Sequence, residues 1–278
     1  MRIINTFDKI PTCFTNNIFD LDSWRKYTKE ISCELSGKCE QDSKEYDFDK
    51  NVFPVINNVL LNKEAALLTN ASFINVTNQL NSNIERLFEN DIEVDVILYL
   101  GLCNGAGWAT TLDGRNAILL GIEKIIELNW QNETDMQALI FHEVGHIWHK
   151  TYGNLYPKTQ SKGENSLVQL YQEGIAMVCE QILCQDDNYY HQNQNGWLAW
   201  CISNKDEIKQ EYLNRIDKNI STQDFFGDWC NYKNHSDVGY YLGCEFIKYL
   251  QQQYSFVDIT NLNVNQLYRH FKTFASLT

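Results

Sequence analysis

Proline and basic charge are scarce in this sequence. Only 3 of its 278 residues are proline and 14 are glycine, which excludes a proline-rich linker, a collagen-like repeat and a low-complexity chain. Lys and Arg number 23 against 36 Asp and Glu, a formal net charge of −13. A protein that grips duplex nucleic acid needs a cationic face to release phosphate counterions, and no stretch here clusters enough Lys and Arg to make one. An anionic membrane surface is disfavoured for the same reason, so neither nucleic acid nor membrane is an expected partner. No window approaches the roughly 18 apolar residues of a spanning helix; residues 96–100 are an apolar run of strand length only. Residues 1–11 lack the continuous apolar core of a secretory signal, so the expected location is the cytoplasm. The nine cysteines form an odd set with no CxxC pair, which excludes a disulfide scaffold and a zinc knuckle and leaves mostly reduced, buried thiols.

What is present is core-forming material: 44% hydrophobic residues and 13% aromatics. Residues 19–90 read mostly as helices, with apolar residues at three-to-four spacing in Val52, Phe53, Ile56 and Leu60 and again in Ile84, Leu87 and Phe88. The period then shortens. Ile92, Val94, Val96 and Leu98 alternate with Glu93, Asp95 and Ile97, as in a strand with one wetter face. A glycine-rich turn at 101–107 leads into a second strand, Asp113-Gly114 signals a hairpin, and 116–121 reads as the return strand. Helical periodicity resumes at Thr134, where Thr134 and Gln137 have the spacing of a capping box, and continues nearly to Phe271. The expected class is α+β, strongly helical, with a small mixed sheet. The expected segments are a helical region at 1–90, a sheet with the active-site helix at 91–155, and a helical lobe at 156–278.

One motif concentrates chemistry: His142-Glu143-Val144-Gly145-His146. Met136, Leu139, Ile140, Val144 and Ile147 supply an apolar stripe, so the segment reads as a helix buried on one side. Four residues advance a helix by roughly 6 Å and about 40° past a full turn, so the two imidazoles project together and can share one tetrahedral Zn²⁺. Glu143 falls beside them, placed to hold a water. A catalytic zinc also needs a third protein ligand. The HExxHxxGxxH extension is ruled out, because His149 and Tyr152 stand where it requires glycine and histidine. Glu173, 27 positions after His146, sits on a second apolar helical pattern made by Leu167, Leu170, Ile175, Val178, Ile182 and Leu183. A carboxylate on such a helix needs compensation, and a metal provides it. Glu180, two turns further on, is placed either to orient a ligand histidine or to be an ordinary solvated or lysine-paired carboxylate.

The pattern resembles the gluzincin metallopeptidases, HExxH zinc proteases whose third ligand is a Glu on a following helix. His142 to Trp148 reads as the HExxHxW of the aminopeptidase-type members, Glu173-Gly174-Ile175-Ala176 resembles their EGxA, and Tyr240-Tyr241-Leu242-Gly243 resembles their YxxG. Gly105-Ala106-Gly107 is similar to the start of their GxMEN substrate strand, with Trp108 and Ala109 where those enzymes carry a Glu-Asn whose Glu binds a free α-amine. The resemblance implies a zincin-like two-lobed fold, one Zn²⁺ on His142, His146 and Glu173, Glu143 as general base, and Tyr240 as hydrogen-bond donor to the oxyanion. It further implies peptide backbone bound along Gly105, Ala106, Gly107 and Trp108, and a peptide or protein substrate. Tyr241 and His235 are alternatives for the oxyanion role. Two other readings stay open: a non-catalytic interaction protein on a metallopeptidase scaffold, with or without a structural zinc that a fourth ligand such as His149 or Cys179 would complete, and a zinc-dependent hydrolase of a non-peptide amide.

Overall fold

The computed structural model describes residues 1–88, 92–227 and 229–277, with the side chains of 86–88 left aside; the expected boundary at Asn90 lies outside the described residues. The chain forms a strongly helical α+β fold with one small mixed sheet. It divides into two compact units, Met1–Glu143 and Val144–Thr278.

The first unit holds the sheet. Its strands are β1 (Arg2–Asn5), a minor two-stranded ribbon of β2 (Phe14–Thr15) and β3 (Ile18–Phe19), and then β4 (Asp95–Tyr99), β5 (Gly107–Leu112) and β6 (Arg115–Gly121). Helices α1 (Leu21–Lys29), α2 (Leu35–Ser43), α3 (Phe53–Leu61) and α4 (Lys63–Phe88) intervene, and α5 (Ile122–Glu127) follows β6. The four-stranded sheet runs β1-β4-β6-β5, with β1, β4 and β6 parallel and β5 antiparallel at an edge. Asp113 and Gly114 take φ of +48° and +78°, the left-handed pair that a tight hairpin demands, and Leu112 pairs with Arg115 across them. Asp20 caps α1 by accepting the Ser23 N–H at 2.7 Å, and Trp24 on that helix is fully buried with its indole N–H on the Leu100 carbonyl at 2.8 Å.

Three expectations are corrected here. The strand at β4 has no wetter face: as an inner strand of a covered sheet, all five of its residues are buried. Glu93 lies before the strand and is exposed, while Asp95 tolerates burial because Arg2 from β1 and Arg115 from β6 both hydrogen-bond its carboxylate, which lowers its pKa. The helix cap is also displaced. Helix α6 (Glu133–Tyr152) begins earlier than the Thr134–Gln137 reading, and Asn132 is the residue that accepts the Asp135 N–H at 3.0 Å. Residues 2–5, within a segment read as helical, form a strand that joins the same sheet as β4 and β6.

The second unit is helical: the end of α6, α7 (Lys162–Cys184), α8 (Trp197–Ser203), α9 (Lys205–Lys218), α10 (Val238–Gln251), α11 (Phe256–Ile259) and α12 (Val264–Ser276). Ser161 caps α7, and Asn263 with Gln266 forms a reciprocal capping box on α12. Tyr171, Tyr212, Phe246 and Phe271 are fully buried, with Tyr212 and Phe246 meeting Phe271 edge-on. The two buried tyrosine hydroxyls donate to the Ile259 and Ser166 carbonyls at 2.7 Å each. No disulfide joins any of the nine cysteines, and burial pushes Cys39, Cys201 and Cys244 up to about 12, which makes them inert thiols. Among the described residues no helix is long and apolar enough to cross a membrane.

Candidate metal centre

Helix α6 carries the HExxH residues as its periodicity requires, with Met136, Ile140 and the motif's own Val144 fully buried. His142 and Glu143 are buried, and His146 keeps 16% of its side chain exposed. Glu173 projects from α7 with its carboxylate 3.3 Å from His146 Nε2. His142, His146 and Glu173 each offer a ligand atom within 4.8 Å of the others. Donors held 2.0–2.2 Å from a tetrahedral ion lie roughly 3.3–3.6 Å apart, so the His146–Glu173 separation suits a shared ion. A second group sharing His142 comprises Glu180 and His191, again within 4.8 Å. The two groups differ in access: the first is partly open through His146 and Glu173, whereas all three members of the second are buried.

Three small residues of the motifs set how closely these helices approach. A Cβ on Gly145 would stand 2.8 Å from Cys179 Cβ and 2.9 Å from the Ala176 Cα, so α6 lies directly on α7 there. A Cβ on Gly174 would stand 2.4 Å from the Gly243 carbonyl oxygen, and one on Gly243 2.6 Å from the Leu170 carbonyl oxygen, so α7 lies equally close to α10. The glycine and alanine of Glu173-Gly174-Ile175-Ala176 are thus packing residues. They bring the Glu173 backbone to α6 on one side and to the helix of Tyr240 on the other.

Glu143 belongs to neither ligand group among the described residues. Its carboxylate lies over Gly107, where an added Cβ would come within 2.5 Å of Oε1. Gly107 and Trp108 open the edge strand β5, paired through Leu120 and Leu119 of β6. Gly105 and Ala106 precede the strand: Gly105 has φ of +150°, and the Ala106 carbonyl accepts the Gly121 N–H at 3.0 Å. These two residues shape the turn.

Tyr240 is half-buried at the start of α10, its ring 6.4 Å from that of His191 and 5.6 Å from that of Phe226. The alternatives are engaged elsewhere. Tyr241 is buried among Tyr190 and Trp197, and His235 stacks on Trp200 at 3.8 Å. His149 packs edge-on against Tyr171, fully buried, and burial lowers it to about 3, so it is a neutral core residue. Neither His149 nor Cys179 joins a ligand group among the described residues. Trp148 stacks on Phe256 at 5.2 Å and is a core aromatic.

Glu180 is fully buried, and His191 Nδ1 lies 2.9 and 3.0 Å from its two oxygens. His191 is the site residue that sequence reasoning does not find. It comes from the loop after α7, where no periodicity fixes which residue returns to the helix.

No known protein family, curated protein or solved structure matches the chain.

Proposed function

We propose that the chain is a zinc-dependent metallopeptidase. The observation that carries this reading is the grouping of His142, His146 and Glu173, with His146 and Glu173 at the separation two ligands of one tetrahedral ion require and with partial access from solvent. Two imidazoles and one carboxylate form a donor set that suits zinc and leaves a coordination position for chemistry. Bound zinc would supply Lewis acidity, lowering the pKa of a water and polarising the scissile carbonyl.

The chain's own groups complete the reaction. Glu143 takes a proton from the attacking water and returns it to the leaving amine. Tyr240 donates a hydrogen bond to the carbonyl oxygen as negative charge builds on it. The main chain of Gly107 and Trp108, on an edge strand beside Glu143, pairs with an extended peptide. The substrate class is a peptide or protein.

The test is metal analysis of the purified chain together with a peptide-library digest run with and without chelator. Glu143→Gln is expected to keep its zinc and lose at least about a hundredfold in turnover. His146→Ala is expected to lose the zinc itself. Full turnover in the first variant would remove Glu143 as the base, and full zinc content in the second would remove His146 as a ligand.

A further inference from the structure

The Glu180–His191 pair takes no part in that chemistry, although it shares His142 with the first ligand group. A buried carboxylate at 0% exposure is costly unless it is charge-paired or hydrogen-bonded. A second ion among His142, Glu180 and His191 is one way to compensate it. The spacing argues against that. His191 Nδ1 stands 2.9 and 3.0 Å from the two Glu180 oxygens, inside the hydrogen-bond range and shorter than the roughly 3.3–3.6 Å between donors on one tetrahedral ion. His191 is therefore a donor to Glu180, and Glu180 is the carboxylate grouped with the ring of His142.

We propose that His191 is a positioning residue for the metal centre. By holding Glu180 it fixes a carboxylate oxygen within 4.8 Å of a His142 ring nitrogen, and that fixed charge limits the orientations open to the imidazole before an ion arrives. The loop is built to hold His191 still. Gln185 closes α7 in the left-handed conformation, at φ of +57°, and turns the chain back. The Gln181 amide then donates to the Tyr189 carbonyl at 2.9 Å, and Tyr190 is buried against Trp197 and Tyr241. His191 is buried as a result, with 5% of its side chain exposed.

This inference rests on the zinc reading above, and zinc affinity tests it without any substrate. The probe is Zn²⁺ alone, titrated into the purified full chain against a competing chelator. His191→Phe keeps the ring volume and removes the donor; it is expected to weaken zinc binding about 10–100-fold. His191→Asn places an amide N–H near the position of Nδ1 and is expected to bind within about threefold of wild type. A merely structural role would lower the melting temperature in both variants and leave the affinity alone. If the Phe variant does not fold, His191→Gln, whose amide reaches past the Nδ1 position, is expected to bind zinc about tenfold more weakly than His191→Asn. Equal zinc affinity across wild type and the folded variants would overturn the proposal and leave the zinc reading standing. Two ions per wild-type chain, one of them lost with His191, would overturn it in favour of a second ion. A wild-type chain that takes up no zinc would overturn the zinc reading and this proposal with it.

Discussion

Glu123 commits both carboxylate oxygens to backbone, accepting the Gly101 N–H at 2.9 Å and the Cys103 N–H at 3.1 Å, and so anchors the turn that leads to Gly107, over which the Glu143 carboxylate lies. Those bonds favour the ionised form, but burial outweighs them and raises the residue from 4.5 to about 7. A carboxyl whose pKa is higher folded than unfolded binds its proton more tightly in the native state. Its contribution to stability is full below the unfolded value and is lost as pH rises through about 7. Wild type is therefore expected to lose about 2 kcal/mol relative to Glu123→Gln between about pH 5.5 and 8. Urea midpoints of the two proteins across that range check it; parallel curves would show that Glu123 does not titrate there. At this scale the sequence is legible where helical spacing fixes direction. His142, His146 and Glu143 lie within five residues of one helix, and Glu173 stands out as an acid on an apolar helix. Glu123 and His191 carry no such signal, because turns and loops decide what they meet.

Gly174 and Gly243 show the same logic between elements. Each faces the other helix's backbone, so α7 and α10 pack with almost no side chain between them. Gly174→Ala drives a methyl into the Gly243 carbonyl and is expected to cost about 1–3 kcal/mol by overpacking. Gly37, inside α2, has nothing within 4 Å of an added Cβ. There the same substitution removes only the entropic cost of a helical glycine and is expected to add about 0.5–1 kcal/mol. Denaturant midpoints of the two single variants should therefore move in opposite directions; a shared direction would show that helix propensity, not contact with α10, governs Gly174. Helices α6 and α7 and the hairpin of β5 and β6 were readable in advance because each has a local signature: apolar periodicity for the helices, Asp113-Gly114 for the hairpin. Strand β1 has none. Four residues become a strand only because β4, more than ninety positions away, offers a parallel edge, with Asp95 waiting for Arg2. The same distant pairing explains why Asp95 gave a false sign of a wet strand face.

Over the whole molecule, the helical bias and the small sheet follow from composition and periodicity, whereas the division at residues 143 and 144 does not, because it falls inside the uninterrupted helix α6. A metal that binds only the native arrangement of His142, His146 and Glu173 must stabilise the fold by mass action, since the unfolded chain does not hold donors from α6 and α7 together. At free zinc about a hundredfold above its dissociation constant the increment is about 2.7 kcal/mol. For a chain of this size that corresponds to about 5–10 °C in the midpoint of thermal unfolding. The formal charge of −13 works in the same direction, because adding a divalent cation relieves part of the native state's self-repulsion. Stripping with chelator is expected to lower the wild-type midpoint by that amount and restoring zinc to recover it. Calcium or magnesium at equal concentration should not, because both prefer all-oxygen ligand sets. His146→Ala is expected to unfold at one temperature with or without zinc. A wild-type midpoint indifferent to zinc would separate the three side chains from any common ion, and a midpoint raised equally by calcium would reduce the effect to charge alone.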